Sequence, residues 1–176
     1  GMPSQAVAQG LRDFRGAGRR FEYKGMVKGA AVYDDYAHHP TEIAATIAAA
    51  KELDFKRVCV VFQPHRYSRI RLFTEVLKDE FGKAFDQADM VTFLDVYPAG
   101  ETPVPGVTGR TFMQPIYDNP NHPADLNYVD RRMQVVPFLT KTLQPGDLVI
   151  TMGAGDVTSV GPELLAALQE REKSRK

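Results

Sequence analysis

The run RVCVVFQP, residues 57 to 64, constrains this chain more than any other stretch. Its uninterrupted apolar part, Val58 to Phe62, is far shorter than the ~20 residues a membrane helix needs. It lacks the apolar–polar alternation of a strand wetted on one side, so it predicts a parallel strand buried on both faces. MVTFLDV, LNYV and LVITM repeat the theme, and each is separated from the next by a helical pattern or a long loop. Ile43, Ile47 and Ala50 follow Pro40 at helical spacing; Phe73, Leu77 and Phe81, with Val76 between them, predict a second helix. A third is expected near residues 131 to 143, with Pro137 in its first turn or kinking it, and Leu164, Leu165 and Leu168 mark the last. Ahead of these, RRFEYKGMVKGAAVYDD reads as two strands around a glycine turn. The expected fold class is α/β: Rossmann-like, a mostly parallel sheet with helices on both faces and an N-terminal β-hairpin.

One region breaks the alternation. Residues 97 to 125 hold Pro98, Pro103, Pro105, Pro115, Pro120 and Pro123, half of the 12 prolines, and are expected to form a long irregular loop. Loops of that length are usually functional or mobile. Residues 1 to 176 read as a single domain. Gly1 before Met2 has the look of a processing feature, which suggests a fragment of a longer protein, and no signal-peptide pattern opens the chain. Lys plus Arg and Asp plus Glu both number 22, so charge favours neither nucleic acid nor a membrane as partner. The single Cys59 excludes an internal disulfide and fits a reducing, cytoplasmic setting.

In a parallel sheet, ligands bind beyond the carboxyl ends of the strands. Four polar loops occupy such positions: DDYAHHP, QPHRYSR, DVYPAGE and GAGD. The first is the most crowded, with Asp34, Asp35, Tyr36, His38 and His39 before Pro40. Asp35 stands where a carboxylate can accept from a ribose diol, and the histidines can donate, accept or bind metal. Capping of the following helix is the plainer use, though a cap needs one residue. Zinc on Asp35, His38 and His65 is an alternative that no cysteine pair or HxxxH spacing supports. In the second loop, Arg66, Arg69 and Arg71 gather with His65. Guanidinium forks suit carboxylates and phosphates, and cations in a first helical turn oppose the dipole, so an anion is expected there. Gly153, Gly155 and Asp156 resemble part of a dinucleotide fingerprint, with Thr158 where its third glycine would stand. No GxxxxGK[ST] motif occurs; Gly82-Lys83 is followed by Ala84. A complete P-loop triphosphatase is excluded from these residues.

Together RRFEYKG, DDYAHHPTE, QPHRYSR, DVYPAGE and MGAGD, in that order, resemble the C-terminal domain of a Mur ligase over about residues 10 to 170. Ala37 departs from the glycine frequent in relatives. The resemblance implies the third of three domains, with the UDP-sugar and P-loop domains outside this chain. It implies an ATP- and Mg2+-dependent amide-forming ligase acting through an acyl phosphate, with Mg2+ held mainly by the central domain. Tyr36 and QPHRYSR point to the branch that adds L-alanine to UDP-N-acetylmuramate in peptidoglycan synthesis. The tripeptide-recycling branch and a stand-alone nucleotide-binding module are the alternatives. Carried over by position, Arg20 and Asp35 are expected at ATP, and Tyr36, His38, His65, Arg66 and Arg69 at the amino acid. His39, Gly153, Gly155 and Asp156 are expected on the same rim. The isolated chain is expected to be inactive.

Overall fold

The computed structural model describes residues 18 to 174; the Gly1-Met2 start and the last two residues of the tail lie outside them. Six strands form one sheet: β1 Glu22–Val27, β2 Ala30–Asp35, β3 Arg57–Phe62, β4 Met90–Leu94, β5 Asp125–Val129 and β6 Asp147–Met152. Their spatial order is β1-β2-β6-β3-β4-β5. β1 and β2 form the expected antiparallel hairpin, and every other neighbouring pair is parallel. The hairpin turn places Lys28 at φ 54 and Gly29 at φ 76, the two positive values that a tight twisted turn requires.

The apolar run of β3 explains the layers. Val58, Val60 and Phe62 enter one buried cluster; Cys59 and Val61 enter the other. Successive side chains of a strand point to opposite faces, so a continuous apolar run serves two cores at once. The first face is covered by α1 (Pro40–Lys51) through Ile43, Ile47 and Ala50, and by α2 (Lys78–Lys83) through Phe81. A short α3 (Gln114–Tyr117) joins them through Ile116. The second face is covered by α4 (Arg132–Thr142) and α5 (Val160–Lys173), which contribute Val135, Leu139, Val160, Leu164 and Leu168. Pro40 opens α1, and Glu42 accepts the His38 and His39 N–H groups at 3.1 and 3.2 Å, closing the helix start.

Two expectations are corrected. The helix after QPHRYSR is not continuous: a 3₁₀ turn at Tyr67–Arg69 leads to a π-turn at Leu72–Val76, and α2 comes after it. The Leu77 N–H reaches back five residues to Leu72 at 2.7 Å. The extra residue turns Val76 to solvent while Phe73 and Phe81 still stack in the core, rings 4.9 Å apart. Residues 97 to 125 are not an unstructured loop, because a 3₁₀ turn at Gly109–Met113 and α3 bury Phe112, Met113 and Ile116 against the first face. Of the two positions expected for Pro137, the structure has the one inside the helix rather than in its first turn.

Candidate functional site

The four loops do share one rim, beyond β2, β3, β4 and β6. At its centre lies a carboxylate that the sequence marks only as one of a crowd. Asp34 is fully buried and accepts from Thr151 Oγ1 at 2.7 Å, Thr158 Oγ1 at 2.8 Å and Arg19 Nε at 2.8 Å. The same guanidinium donates to the Gly153 carbonyl at 2.5 Å, and its carbon lies 5.1 Å from the Tyr36 ring centre. The family resemblance points to Arg20, yet it is the Arg19 guanidinium that turns inward. With Arg19 drawn inward, its neighbour Arg20 is left exposed on the outer wall. The doubled arginine was the one available signal, and nothing in it says which of the pair turns in.

Asp35 is nearly as enclosed. Its two oxygens accept the Phe21 and Ala37 backbone N–H groups, each at 2.7 Å, so it orders the loop on either side of itself. A carboxylate offers about four lone pairs, and two remain for a ligand. Asp35 lines a cleft of about 250 Å³ between Arg20 and Tyr36 on one side and Glu42, Ala45 and Thr46 of α1 on the other. Asp35 thus orders its own loop rather than gathering with His38 and His65. The described residues hold no group of three or more His, Cys, Asp or Glu side chains able to bind a metal.

On the other side of Tyr36 stands a row of rings. Tyr36 meets His38 edge-on at 5.3 Å, His38 lies 6.4 Å from His65, and His65 stacks on Tyr97 at 5.7 Å and 13°. His38 Nδ1 is 3.0 Å from the Tyr36 carbonyl. A carbonyl only accepts, so Nδ1 is the donor in this contact. His65 differs: its Nδ1 is shut away with no hydrogen-bond partner among the described residues. Burial, then the Arg69, Arg66 and His38 charges, hold this imidazole below its ordinary range, outweighing Glu101. Charging it would add a second N–H with nothing to receive it. His65 is the neutral member of a cationic loop.

Arg66 and Arg69 flank His65, but the helix-dipole ground for expecting an anion there fails. Arg66 leads into a three-residue 3₁₀ turn, Tyr67–Arg69, not into an α-helix start. A different signal takes its place: Arg66 adopts φ 72, a left-handed conformation rare for a long side chain. Such strain persists only where the surroundings enforce it and clusters at functional sites. Arg71 points away, its side chain 81% exposed and paired with Glu75 at 3.2 Å. His39 also leaves the row: it is exposed, with its ring 6.5 Å from Phe73.

The glycine loop is built for close approach. Gly153 has φ 138, and a side chain on Gly155 would run into Gln63 Oε1 and lie 2.7 Å from Tyr97 Cβ. Gln63 donates to Asp156 at 2.7 Å and accepts from the Val157 N–H at 3.0 Å. Thr158 replaces the third glycine because a 3₁₀ turn, Asp156–Ser159, precedes α5. The close-packing position moves to Gly161, where a Cβ would meet Val32 at 3.3 Å. A wider cleft of about 720 Å³ opens beside Asp156, between Met133 and Glu163, with no forewarning in the sequence.

A mostly parallel sheet whose strand-end loops meet over a glycine turn defines a Rossmann-like α/β domain, and solved structures share it. A UDP-N-acetylmuramate-alanine ligase from Thermotoga maritima superposes with TM-score 0.65 at 27% identity, over 97% of this chain and 33% of that one. A murein peptide ligase from Psychrobacter arcticus gives TM-score 0.71 over 92% and 32%; at 22% identity that likeness bears on the fold alone. The chain belongs to the Mur ligase family: the model of the Mur ligase, glutamate ligase domain, matches residues 19–155. The UDP-N-acetylmuramate–L-alanine ligase of Pelotomaculum thermopropionicum is 45% identical over 173 residues, 98% of this chain and 36% of that protein. The enzyme of the same name from Saccharopolyspora erythraea is 47% identical over 98% of this chain and 34% of its own. The chain thus spans about a third of the length of these curated relatives.

Proposed function

We propose that this chain is the C-terminal domain of a ligase that joins L-alanine to UDP-N-acetylmuramate in peptidoglycan precursor synthesis, using ATP and Mg2+. The carrying observation is the division of one rim by Tyr36. A cleft with Arg20 and Asp35 lies on one side of it, and a row with His38, His65, Arg66 and Arg69 on the other. Two neighbouring sites suit a reaction that must bring a nucleotide and an amino acid to one carboxylate. The 40–47% identity to alanine ligases supports this branch over tripeptide recycling.

In this reading the γ-phosphoryl of ATP passes to the muramyl carboxylate, giving an acyl phosphate and ADP. The alanine amine then attacks the carbonyl carbon, and phosphate leaves as the amide forms. Bound Mg2+ would neutralise phosphate charge during transfer, held mainly by the P-loop domain outside these residues. Arg20 contacts the nucleotide from the cleft wall, and Asp35 accepts from a ribose hydroxyl with its remaining lone pairs. Arg66 and Arg69 hold the alanine carboxylate by charge-assisted hydrogen bonds. Neutral His65 suits the amine side, where a cationic imidazole would repel the incoming ammonium. The remaining two domains supply the other walls.

The test is phosphate release by the full-length protein. It should require UDP-N-acetylmuramate, L-alanine, ATP and Mg2+ together, and the 176-residue chain alone should release none. Release with a tripeptide in place of alanine would establish the recycling reaction instead. Tight ATP binding by the isolated chain, measured by dialysis, would favour a stand-alone nucleotide module.

A further inference from the structure

Tyr97 lies just past β4, in a segment that contributes none of the site residues expected from sequence. Its backbone bridges to the neighbouring loop in parallel: the Tyr97 N–H donates to the Pro64 carbonyl at 2.8 Å, and the Arg66 N–H donates to the Tyr97 carbonyl at 2.8 Å. His65 sits between those two bonds, and the Tyr97 ring lies flat against its imidazole. Four residues on, Glu101 accepts the Ser68 N–H at 3.0 Å and its hydroxyl at 2.5 Å. The loop from His65 to Ser68 is therefore gripped at both ends by the segment after β4. From the third side Gly155 presses on Tyr97, leaving no room for a Cβ.

We infer that Tyr97 is a positioning residue of the amino-acid pocket, its ring fixing the His65 imidazole and its backbone fixing the strained Arg66. The inference takes its substrate from the proposed ligase reading; the clamp itself rests on the contacts above. Arg66 at φ 72 needs an outside restraint, and its N–H bond to the Tyr97 carbonyl provides one. The Tyr97 ring lies 5.7 Å from that of His65 and nearly parallel to it, and burial is the largest cause of the depressed imidazole. No hydroxyl bond enters this account, so the ring and the backbone carry the role.

Two variants test it. Tyr97→Phe keeps ring and backbone; Tyr97→Leu keeps the backbone and loses the stack. In the full-length protein, Tyr97→Leu should raise KM for L-alanine about tenfold or more, as small misplacements of binding groups do, with KM for ATP unchanged. Tyr97→Phe should match the parent in both. By NMR of the 176-residue chain, the His65 ring should titrate below the ordinary imidazole range, and Tyr97→Leu should bring it back up; His38, Arg66, Arg69 and Glu101 are the charges facing it and are unaltered. A Leu variant with unchanged alanine KM and unchanged His65 titration would overturn the clamp, as would a Phe variant that loses alanine. If the parent protein does not use L-alanine at all, the ligase reading falls, and the His65 titration still decides whether Tyr97 sets this side chain.

Discussion

The Arg19 guanidinium closes over Asp34, its Nε donating to Oδ2 at 2.8 Å, and so ties the segment before β1 to the end of β2. Asp34 is wholly buried and has two threonine hydroxyls besides, one from β6 and one from the turn before α5. Removing the charge would leave Arg19 facing neutral groups. Asp34→Asn is expected to destabilise the chain by about 2–4 kcal/mol, somewhat below the range for fully buried pairs because Arg19 stays partly exposed. Urea unfolding would measure it; an unchanged midpoint would contradict the account.

Asp35→Asn should act twice. An amide placed against the Phe21 and Ala37 N–H groups can accept only one of the two, so some stability is lost. In the full-length protein KM for ATP should also rise, by about 1.5–3 kcal/mol, the worth of a hydrogen bond to a charged acceptor. Lost stability with unaltered ATP kinetics would leave Asp35 a purely structural carboxylate.

Arg66→Ala and Arg69→Ala, in the full-length protein, should each lower kcat/KM for L-alanine by about 2–4 kcal/mol while changing ATP use little. Lysine should rescue only partly, since a point charge cannot reproduce the guanidinium fork. Arg71→Ala is the control: its side chain is exposed and its partner is Glu75. Equal damage from all three would dissolve the pocket into a general basic patch.

Cys59 should be silent to thiol reagents in the native chain. Burial, reinforced by Asp147, pushes its thiol up from an ordinary 9.0 to about 12. The unfolded chain therefore deprotonates first as pH rises, so the contribution to stability is intact below about 9 and is lost on the way to about 12. Labelling that appears only with unfolding, and a stability that declines across that alkaline window, would be measured together. Rapid labelling of the folded protein at pH 8 would refute the burial.

The fold was legible because it rests on periodicity. The apolar run of β3, the spacing of Ile43, Ile47 and Ala50, and the paired strands around Lys28-Gly29 are local patterns that admit one arrangement each. Periodicity misleads at Leu72–Val76, and proline content misleads at Phe112–Ile116. There the geometry answers to distant partners: an inserted residue lets Phe73 reach Phe81, and a proline-rich segment folds because Phe112 meets Phe73 at 6.3 Å.

For the site, the linear order of residues sets which types stand at strand ends: the acidic pair, His38 and His65, Arg66 and Arg69, and the glycines 153 and 155. Connectivity alone brings them to one rim, because parallel strands must place their carboxyl ends together. Packing settles which of Arg19 and Arg20 turns inward, that His39 faces Phe73 rather than the row of rings, and that Tyr97 stacks on His65. Adjacent identical residues are equivalent in sequence; they are separated by the neighbours that enclose one and expose the other. Those neighbours, Asp34 for Arg19 and Tyr97 for His65, come from the end of β2 and from the segment after β4, and no local pattern records the meeting.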